Sequence, residues 1–319
     1  MDQPQSPASP ERGDPLLGRE GQGLLRRDVY LAPLTTFRVG GLAEWYGEPR
    51  TLADLQQLLG WADEQGMPVT VLGAGSNLLI SDSGLGGVVL NTRKLHGIRI
   101  LGEGRLWAAA GEPLVKVVRL AAQQGWSGLE WGIGIPGSVG GAVVMNAGAH
   151  GWATADTLTE VTVLDDDHHL RTLSVPELAF GYRYSLLQGR SWVVTGAYFQ
   201  LHPTGDPTAI WAHTQANWEQ RRRSQPYDLP SCGSVFRNPQ SHTAGWLIEQ
   251  AGLKGHQIGR AQVAERHANF ILNLDQASAM DVHHLIRHIQ EQVFRQWSLL
   301  LEPEVRILGD FAGHQLLRA

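Results

Sequence analysis

Cysteine is almost absent from this 319-residue chain, with Cys232 standing alone. A single thiol excludes an internal disulfide and a cysteine-based metal site, and it fits a reducing cytoplasm. Charge is also sparse: charged residues make up 18% and the net charge is -5. No basic cluster is interleaved with aromatics, so neither nucleic acid nor an anionic membrane is an expected partner. The one charge run, Arg221-Arg222-Arg223, reads as a solvated helix end. No apolar run approaches the roughly 20 residues of a membrane span. The N-terminus mixes Pro, Ser and charge instead of forming an apolar signal segment. G-x-S-x-G, H-E-x-x-H and P-loop patterns are missing too, which removes the elbow hydrolases, the zincins and the P-loop enzymes.

Glycine, in contrast, is abundant at 38 residues, and seven lie between Trp131 and Gly151. Glycine lets backbone approach a ligand with no Cβ in the way. So dense a run is either a structural loop or a cradle of backbone N–H groups for an anion such as a pyrophosphate. Gly132, Gly134 and Gly137 spell G-x-G-x-x-G, but a dinucleotide fingerprint needs its last glycine to open an amphipathic helix. Pro136 precedes Gly137, and Gly140-Gly141-Ala142-Val143-Val144 has no helical face. The expectation is a cofactor loop of another type, with no helix there.

In chain order, residues 1–28 read as a disordered tail, with structure beginning near Val29. Thr51 to Gly66 is a helix, with Thr51 and Asp54 as a capping box and Leu55, Leu58, Leu59 and Ala62 as its apolar face. The strand Val69–Leu72 runs into a second glycine turn, Gly73-Ala74-Gly75-Ser76-Asn77, and then into strands at Leu78–Ile80 and Val88–Leu90. A strand at Arg105–Ala110 precedes a helix from Pro113 to Gln124. Val161–Leu164, Arg171–Leu173 and Trp192–Leu201 read as further strands. After a boundary near His202–Pro207 come helices at Thr208–Arg223 and Gly245–Ala251 and a strand at Asn269–Asn273. Ser278 to Trp297 is the clearest helix, striped by Val282, Leu285, Ile286, Ile289, Val293 and Trp297. Glu302–Leu308 closes as a strand, with Glu304 and Arg306 on one face.

Three stretches carry more polar function than their surroundings require. Arg183 sits among aromatics in Phe180-Gly181-Tyr182-Arg183-Tyr184-Ser185, where an unpaired guanidinium is costly to bury. Ser231-Cys232-Gly233-Ser234 to Pro239 offers hydroxyls and a thiol for proton transfer, or is a plain turn. Glu304 and Arg306 form a cross-strand ion pair or manage charge on a substrate carboxylate. His284 and His288 are one helical turn apart, as metal ligands can be, but they are expected on a solvated face with no metal. His168-His169 also reads as surface.

Taken in order, six motifs resemble the UDP-N-acetylenolpyruvoylglucosamine reductases, a family of flavoenzymes of bacterial peptidoglycan precursor synthesis. They are Thr35–Gly41, Leu72–Leu78, Gly132–Gly151, Gly181–Ser185, Gly233–Pro239 and Glu302–Arg306, and the resemblance runs from about Leu31 to Gly309. It implies an α+β chain with the vanillyl-alcohol-oxidase type of FAD-binding fold. Subdomains at 29–93 and 94–205 hold FAD non-covalently, a third unit at 206–301 binds the UDP-sugar, and the C-terminal stretch 302–319 returns to the first. By the same resemblance the cofactor lies on Arg38, Gly73, Ala74, Gly75, Ser76, Asn77 and Leu78, and on Gly132, Ile133, Pro136, Gly137, Ser138, Gly140, Gly141, Ala142, Asn146, Gly148 and Ala149. Tyr182, Arg183, Arg237, Asn238 and Glu304 bind substrate. NADPH supplies electrons, and UDP-N-acetylglucosamine enolpyruvate accepts a hydride at its enol ether. Arg183 and Glu304 stabilise the enolate-like intermediate, and Ser234 protonates it.

Two departures stand out. Arg237 occupies a position where the family often has lysine, and the short link from Arg183 to Trp192 marks the subtype without an inserted tyrosine loop. His267 or Asn269 is then a candidate for holding the UDP group. The resemblance further implies a cytoplasmic monomer of the bacterial cell. The competing readings are an FAD-dependent carbohydrate oxidase or dehydrogenase of the same fold, which needs a His or Tyr base, and a UDP-sugar binding module without turnover.

Overall fold

A computed structural model of the protein describes residues 16, 23–203 and 205–311. Its first sheet has four strands in the order 25–30, 42–47, 85–91, 69–72. The first pair is antiparallel and the other two pairs are parallel. Helix α1 (Leu52–Glu64) makes the crossover, and its capping box at Thr51 and Asp54 forms as expected. Its buried face of Leu55, Leu58, Leu59, Trp61 and Ala62 packs with Trp45, Val88 and Leu90 of the sheet.

The second sheet has five antiparallel strands in the order 170–174, 158–164, 193–200, 105–109, 98–102. Helices α2 (Leu114–Gln123) and α3 (Val139–Val144) share its core through Val117, Val118, Ala121, Val139 and Val143. Helix α4 (Pro207–Ser224) belongs to this layer by packing: Trp218 joins the same cluster. The boundary expected at 205–206 therefore cuts between α4 and the layer it packs on. Beyond it come α5 (Ala244–Gln250), a three-stranded sheet over residues 257–273 and the long α6 (Ala279–Trp297).

This third layer is tied to the first. One apolar cluster unites Phe37, Val39 and Leu79 with Val235, Leu247, Val282 and Leu285. The Asp82 carboxylate accepts from the amides of Ala279 and Met280 at 2.8 and 3.0 Å, placing negative charge at the N-terminus of α6, where the helix dipole favours it. The strand Arg306–Leu308 pairs in parallel with Leu78–Ile80, so the chain does return to the first layer.

Several expectations are corrected. Structure starts earlier than Val29: Leu25–Tyr30 is a strand, and Leu16 is buried, its carbonyl accepting from the Leu25 amide. Residues 1–15 and 17–22 of the expected tail lie outside the described residues, as do 312–319 of the C-terminal stretch. The strand looked like tail because Arg26 and Arg27 are charged, yet their guanidiniums lie over the rings of Tyr46 and Trp45. Strands 42–47 and 98–102 were not expected at all. The closing strand is shorter than 302–308, because only 306–308 pairs as a strand while Pro303 bridges Phe236.

The glycine run does contain a helix, α3. Ser138 caps it by accepting from the Gly141 amide, and a Cβ on Gly140 would sit 3.0 Å from the Ala110 Cβ. The lack of a large apolar face misled the reading: the helix is buried because glycine lets its backbone press directly on the sheet. Finally, His283 is buried against the Phe311 ring, and His288 stacks on His256 at 4.4 Å. That end of α6 is less solvated than its polarity suggests.

Candidate active site

A cavity of about 530 Å³ runs between the three layers. Its floor is backbone. The turn Gly73–Leu78 forms one wall, and Pro136, Gly137, Ser138, Gly140, Gly141 and Ala142 form the other. Gly75 is left-handed at φ 68°, and a Cβ there would stand 2.2 Å from the Leu34 carbonyl oxygen, so only glycine closes this turn. Among the described residues, the amides of Ala74, Gly75 and Ser76 donate to no other protein atom. Their neighbours do hold the walls together, since Ser76 Oγ donates to the Pro136 carbonyl at 2.8 Å. Free amides on a backbone-lined turn fit a diphosphate.

Tyr182, Arg183, Ser234, Asn238 and Glu304 line the same cavity, with Asn77 Nδ2 donating to the Glu304 carbonyl at 3.1 Å. Arg183 Nε meets Glu304 Oε1 at 3.0 Å, with the two side chains 20% and 17% exposed. The other guanidinium nitrogens donate to the carbonyls of Gly148 at 2.6 Å and Asn146 at 3.4 Å. Arg183 itself is left-handed at φ 54°, a conformation that must be held by its surroundings. The holding is visible: Gly181 and Tyr184 exchange backbone hydrogen bonds across the turn, and Gln188 Nε2 donates to the Arg183 carbonyl. Burial pushes the Glu304 carboxyl above the usual carboxylate range, although Arg183 and Arg237 pull it down. Burial, with Glu304 adding to it, raises the Cys232 thiol well above its ordinary value. The thiol is therefore a poor source of thiolate. Ser234, on the same loop, lines the cavity with its hydroxyl.

Six of the expected site residues do not line this cavity. Gly132 and Ile133 serve the core: a Cβ on Gly132 would sit 3.0 Å from Val118, and Ile133 is buried. Asn146 is a brace, donating to the Gly181 carbonyl and accepting from the Ala155 amide. Ala149 belongs to the hairpin formed with Trp152–Ala153. Arg237 pairs with Glu302 at 2.8 Å and donates to the Arg183 carbonyl. Arg38 lines a second cavity of about 520 Å³ on the other side of the glycine turn, with Arg93 and Thr36. Asn269 does line the cavity, though it is 3% exposed and its side chain bonds both the amide and the carbonyl of Phe236; His267 does not line it, and burial lowers its basicity.

Conversely, Arg190, Trp192, Arg221, Gln225 and Arg306 line the main cavity. Arg306 could be read from its alternation with Glu304. Arg221 could not: in a run of three arginines nothing marks the one that turns inward to Tyr227 and Gln225.

The family model described as the C-terminal domain of UDP-N-acetylenolpyruvoylglucosamine reductase matches residues 225–308, and that of an FAD binding domain matches residues 44–174. The chain is 62% identical over 289 residues to the UDP-N-acetylenolpyruvoylglucosamine reductase of Synechococcus sp. (strain JA-3-3Ab), covering 91% of this chain and 93% of that one. It is 55% identical to the enzyme of Acaryochloris marina, covering 89% and 92%. Among solved structures, the UDP-N-acetylenolpyruvylglucosamine reductase of Thermus caldophilus superposes with a TM-score of 0.78 at 37% identity, over 89% of this chain and 100% of that one. The α+β architecture, the backbone-lined cleft and these likenesses agree, and the chain belongs to the UDP-N-acetylenolpyruvoylglucosamine reductase family.

Proposed function

We propose that the cavity binds FAD and UDP-N-acetylglucosamine enolpyruvate, and that Arg183, Glu304 and Ser234 carry out the substrate chemistry. The protein is an FAD-containing, NADPH-dependent oxidoreductase of peptidoglycan precursor synthesis, reducing the enolpyruvyl sugar to UDP-N-acetylmuramate. The observation that carries the assignment of roles is the meeting of Arg183 and Glu304, 121 positions apart in sequence, in a cleft that is also lined by a backbone cradle.

The glycine turn at 73–77 and the wall at 136–142 hold the cofactor's diphosphate through main-chain N–H groups, an anion site that needs no side-chain cation. FAD bound there would supply the hydride chemistry that links NADPH to the enol-ether carbon–carbon double bond. Addition to so electron-rich an alkene is slow unless the developing negative charge is drawn into the substrate carboxylate. The Arg183 guanidinium supplies fixed positive charge for that purpose. Glu304, bonded to Arg183 Nε at 3.0 Å, shares in stabilising the enolate-like intermediate by fixing that guanidinium in place. Ser234 gives its proton to the carbon beside the carboxylate, and the positioned hydroxyl contributes the roughly 10²–10⁴-fold typical of general acid catalysis.

We further assign subdomains at 29–93 and 94–205, a substrate unit from 206 to 301 with α4 docked on the second subdomain, and a return through 302–308. Among the described residues no helix is long and apolar enough to cross a membrane; the protein works as a cytoplasmic monomer on a small-molecule UDP-sugar. No histidine of the described residues lines the main cavity, which deprives the carbohydrate-oxidase reading of an imidazole base.

The deciding experiment is anaerobic NADPH oxidation by the purified holoenzyme. Addition of the enolpyruvyl sugar is expected to turn a single stoichiometric flavin reduction into continuous turnover; no stimulation would overturn the assignment. The cradle has its own test. Gly75→Ala forces a Cβ to within 2.2 Å of a carbonyl oxygen, so the variant is expected to purify with little flavin, read as visible absorbance against protein absorbance. Wild-type flavin content would remove the turn from the cofactor site.

A further inference from the structure

The loop that carries Ser234 has no regular secondary structure of its own. Gly233 is left-handed at φ 81°, and the flanking residues 231–233 and 237–240 belong to no helix or strand. What fixes it comes from outside. On one side, Glu304 donates its amide to the Val235 carbonyl at 2.7 Å, and Arg237 donates its amide to the Glu302 carbonyl at 2.9 Å. On the other side stands Asn269. Its carbonyl accepts from the Val235 amide at 2.8 Å. Its side chain then takes both polar groups of Phe236: Oδ1 accepts from the amide at 2.9 Å, and Nδ2 donates to the carbonyl at 2.8 Å.

A side-chain amide bonded in this way stands in for a strand's peptide group. It continues the pairing that begins at the Ser234–Phe270 bridge, one residue further than the backbone could. Asn269 is 3% exposed, so its polar groups are spent on the loop. His267 supports it, with Nδ1 accepting from the Asn269 amide at 3.3 Å. Burial holds that imidazole toward its neutral, acceptor form.

We propose that Asn269, backed by His267, is a positioning residue for the reaction. It clamps the Phe236 peptide against the 302–304 segment and so sets Ser234 relative to the Arg183–Glu304 pair. The inference rests on the assignment of Ser234 as proton donor. The clamp spans only two residues from the Ser234 hydroxyl, and a displacement of the order of 1 Å in a reacting group can cost on the order of 10²-fold in rate. Flavin reduction by NADPH does not use the Ser234 proton and is independent of the clamp.

Asn269→Asp tests this in the FAD-loaded enzyme, because the variant carboxyl can replace both amide bonds only while protonated. Reduction by NADPH and reoxidation by the enolpyruvyl sugar are measured separately by anaerobic stopped flow across the pH range. Reduction is expected to stay within about twofold of wild type. Reoxidation is expected to fall on the order of 10²-fold at neutral pH and to recover as pH drops and the new carboxyl protonates. Other groups facing the clamp are His267, Glu302, Glu304, Arg183, Arg237 and Cys232, with Lys254 and Glu249 beyond His267. They are common to both proteins, so the ratio of variant to wild type isolates residue 269. If Asn269→Asp loses FAD, Asn269→Ser replaces it, keeping one hydroxyl for the Phe236 peptide; reoxidation alone is then expected to fall, less steeply.

Unchanged reoxidation, or equal loss in both half-reactions, overturns the proposal. Ser234→Ala and the double variant separate it from the reading beneath it. Asn269→Asp should add little slowing on the Ser234→Ala background, since coupled residues are not additive; full additivity also overturns it. If Ser234→Ala itself fails to slow reoxidation, the proton-donor role falls first.

Discussion

Ser234→Ala is expected to leave flavin reduction by NADPH near the wild-type rate and to slow reoxidation by the enolpyruvyl sugar by about 10²–10⁴-fold. The asymmetry follows from where the proton is needed. Hydride removal from NADPH consumes no proton from Ser234, whereas the substrate half-reaction ends with one delivered to carbon. Ser234 is only half-buried, so the substitution is not a folding test. Single-turnover stopped flow on each half-reaction gives the answer. Equal losses in both, or solvent deuterium slowing Ser234→Ala as much as wild type, would remove Ser234 from the proton path.

Arg183→Met carries the second large effect. It removes the partner of a mostly buried carboxylate, and breaking such a pair costs about 3–5 kcal/mol because the remaining charge is left uncompensated. The value is an upper figure here, since both side chains keep about a fifth of their surface. Substrate-driven reoxidation should be lost with it, because no other guanidinium contacts Glu304 directly among the described residues. The pH dependence has a definite sign. Burial already holds Glu304 above the usual carboxylate range, and Arg183 is the stronger of the two groups opposing that shift. Without it the native value rises further. The native state then binds the Glu304 proton more tightly than the unfolded state does. Its stabilising effect is complete below the ordinary carboxylate range and is lost as pH rises through the raised native value. The stability deficit of Arg183→Met against wild type should therefore be smaller near pH 5 than near pH 8 in denaturant titrations, by about 1 kcal/mol per pH unit of additional shift. A deficit that is flat, or greater in acid, contradicts the pairing.

Much of this arrangement is written locally. The α1 capping box, the stripe of α6 and the strand that runs into Gly73–Asn77 each depend on neighbours within a few residues, and each forms as read. The errors share a cause. The strand Leu25–Tyr30 is polar in isolation and is made by its pairing with Leu42–Gly47 and by rings that receive its arginines. Helix α3 has no apolar stripe wide enough to notice, because glycine buries backbone in place of side chain. Asn146 and Asn269 also brace the loops that carry Arg183 and Ser234, a use that no local pattern marks.

The sequence by itself determined two glycine-rich turns, the capped helices and the strand alternation, because φ > 0 turns, caps and alternation are set within a few bonds; the roles of its arginine, serine and glutamate came from the resemblance of six ordered motifs to a family. Only the tertiary structure decided which of these groups meet. Arg183 reaches Glu304 at 3.0 Å because the last strand returns beside Leu78–Ile80. Ser234 lines the same cavity, on a loop gripped by Asn269 and the 302–304 segment from both sides. Contacts between residues a hundred or more positions apart leave no local periodicity, so packing alone brings these groups to one cavity.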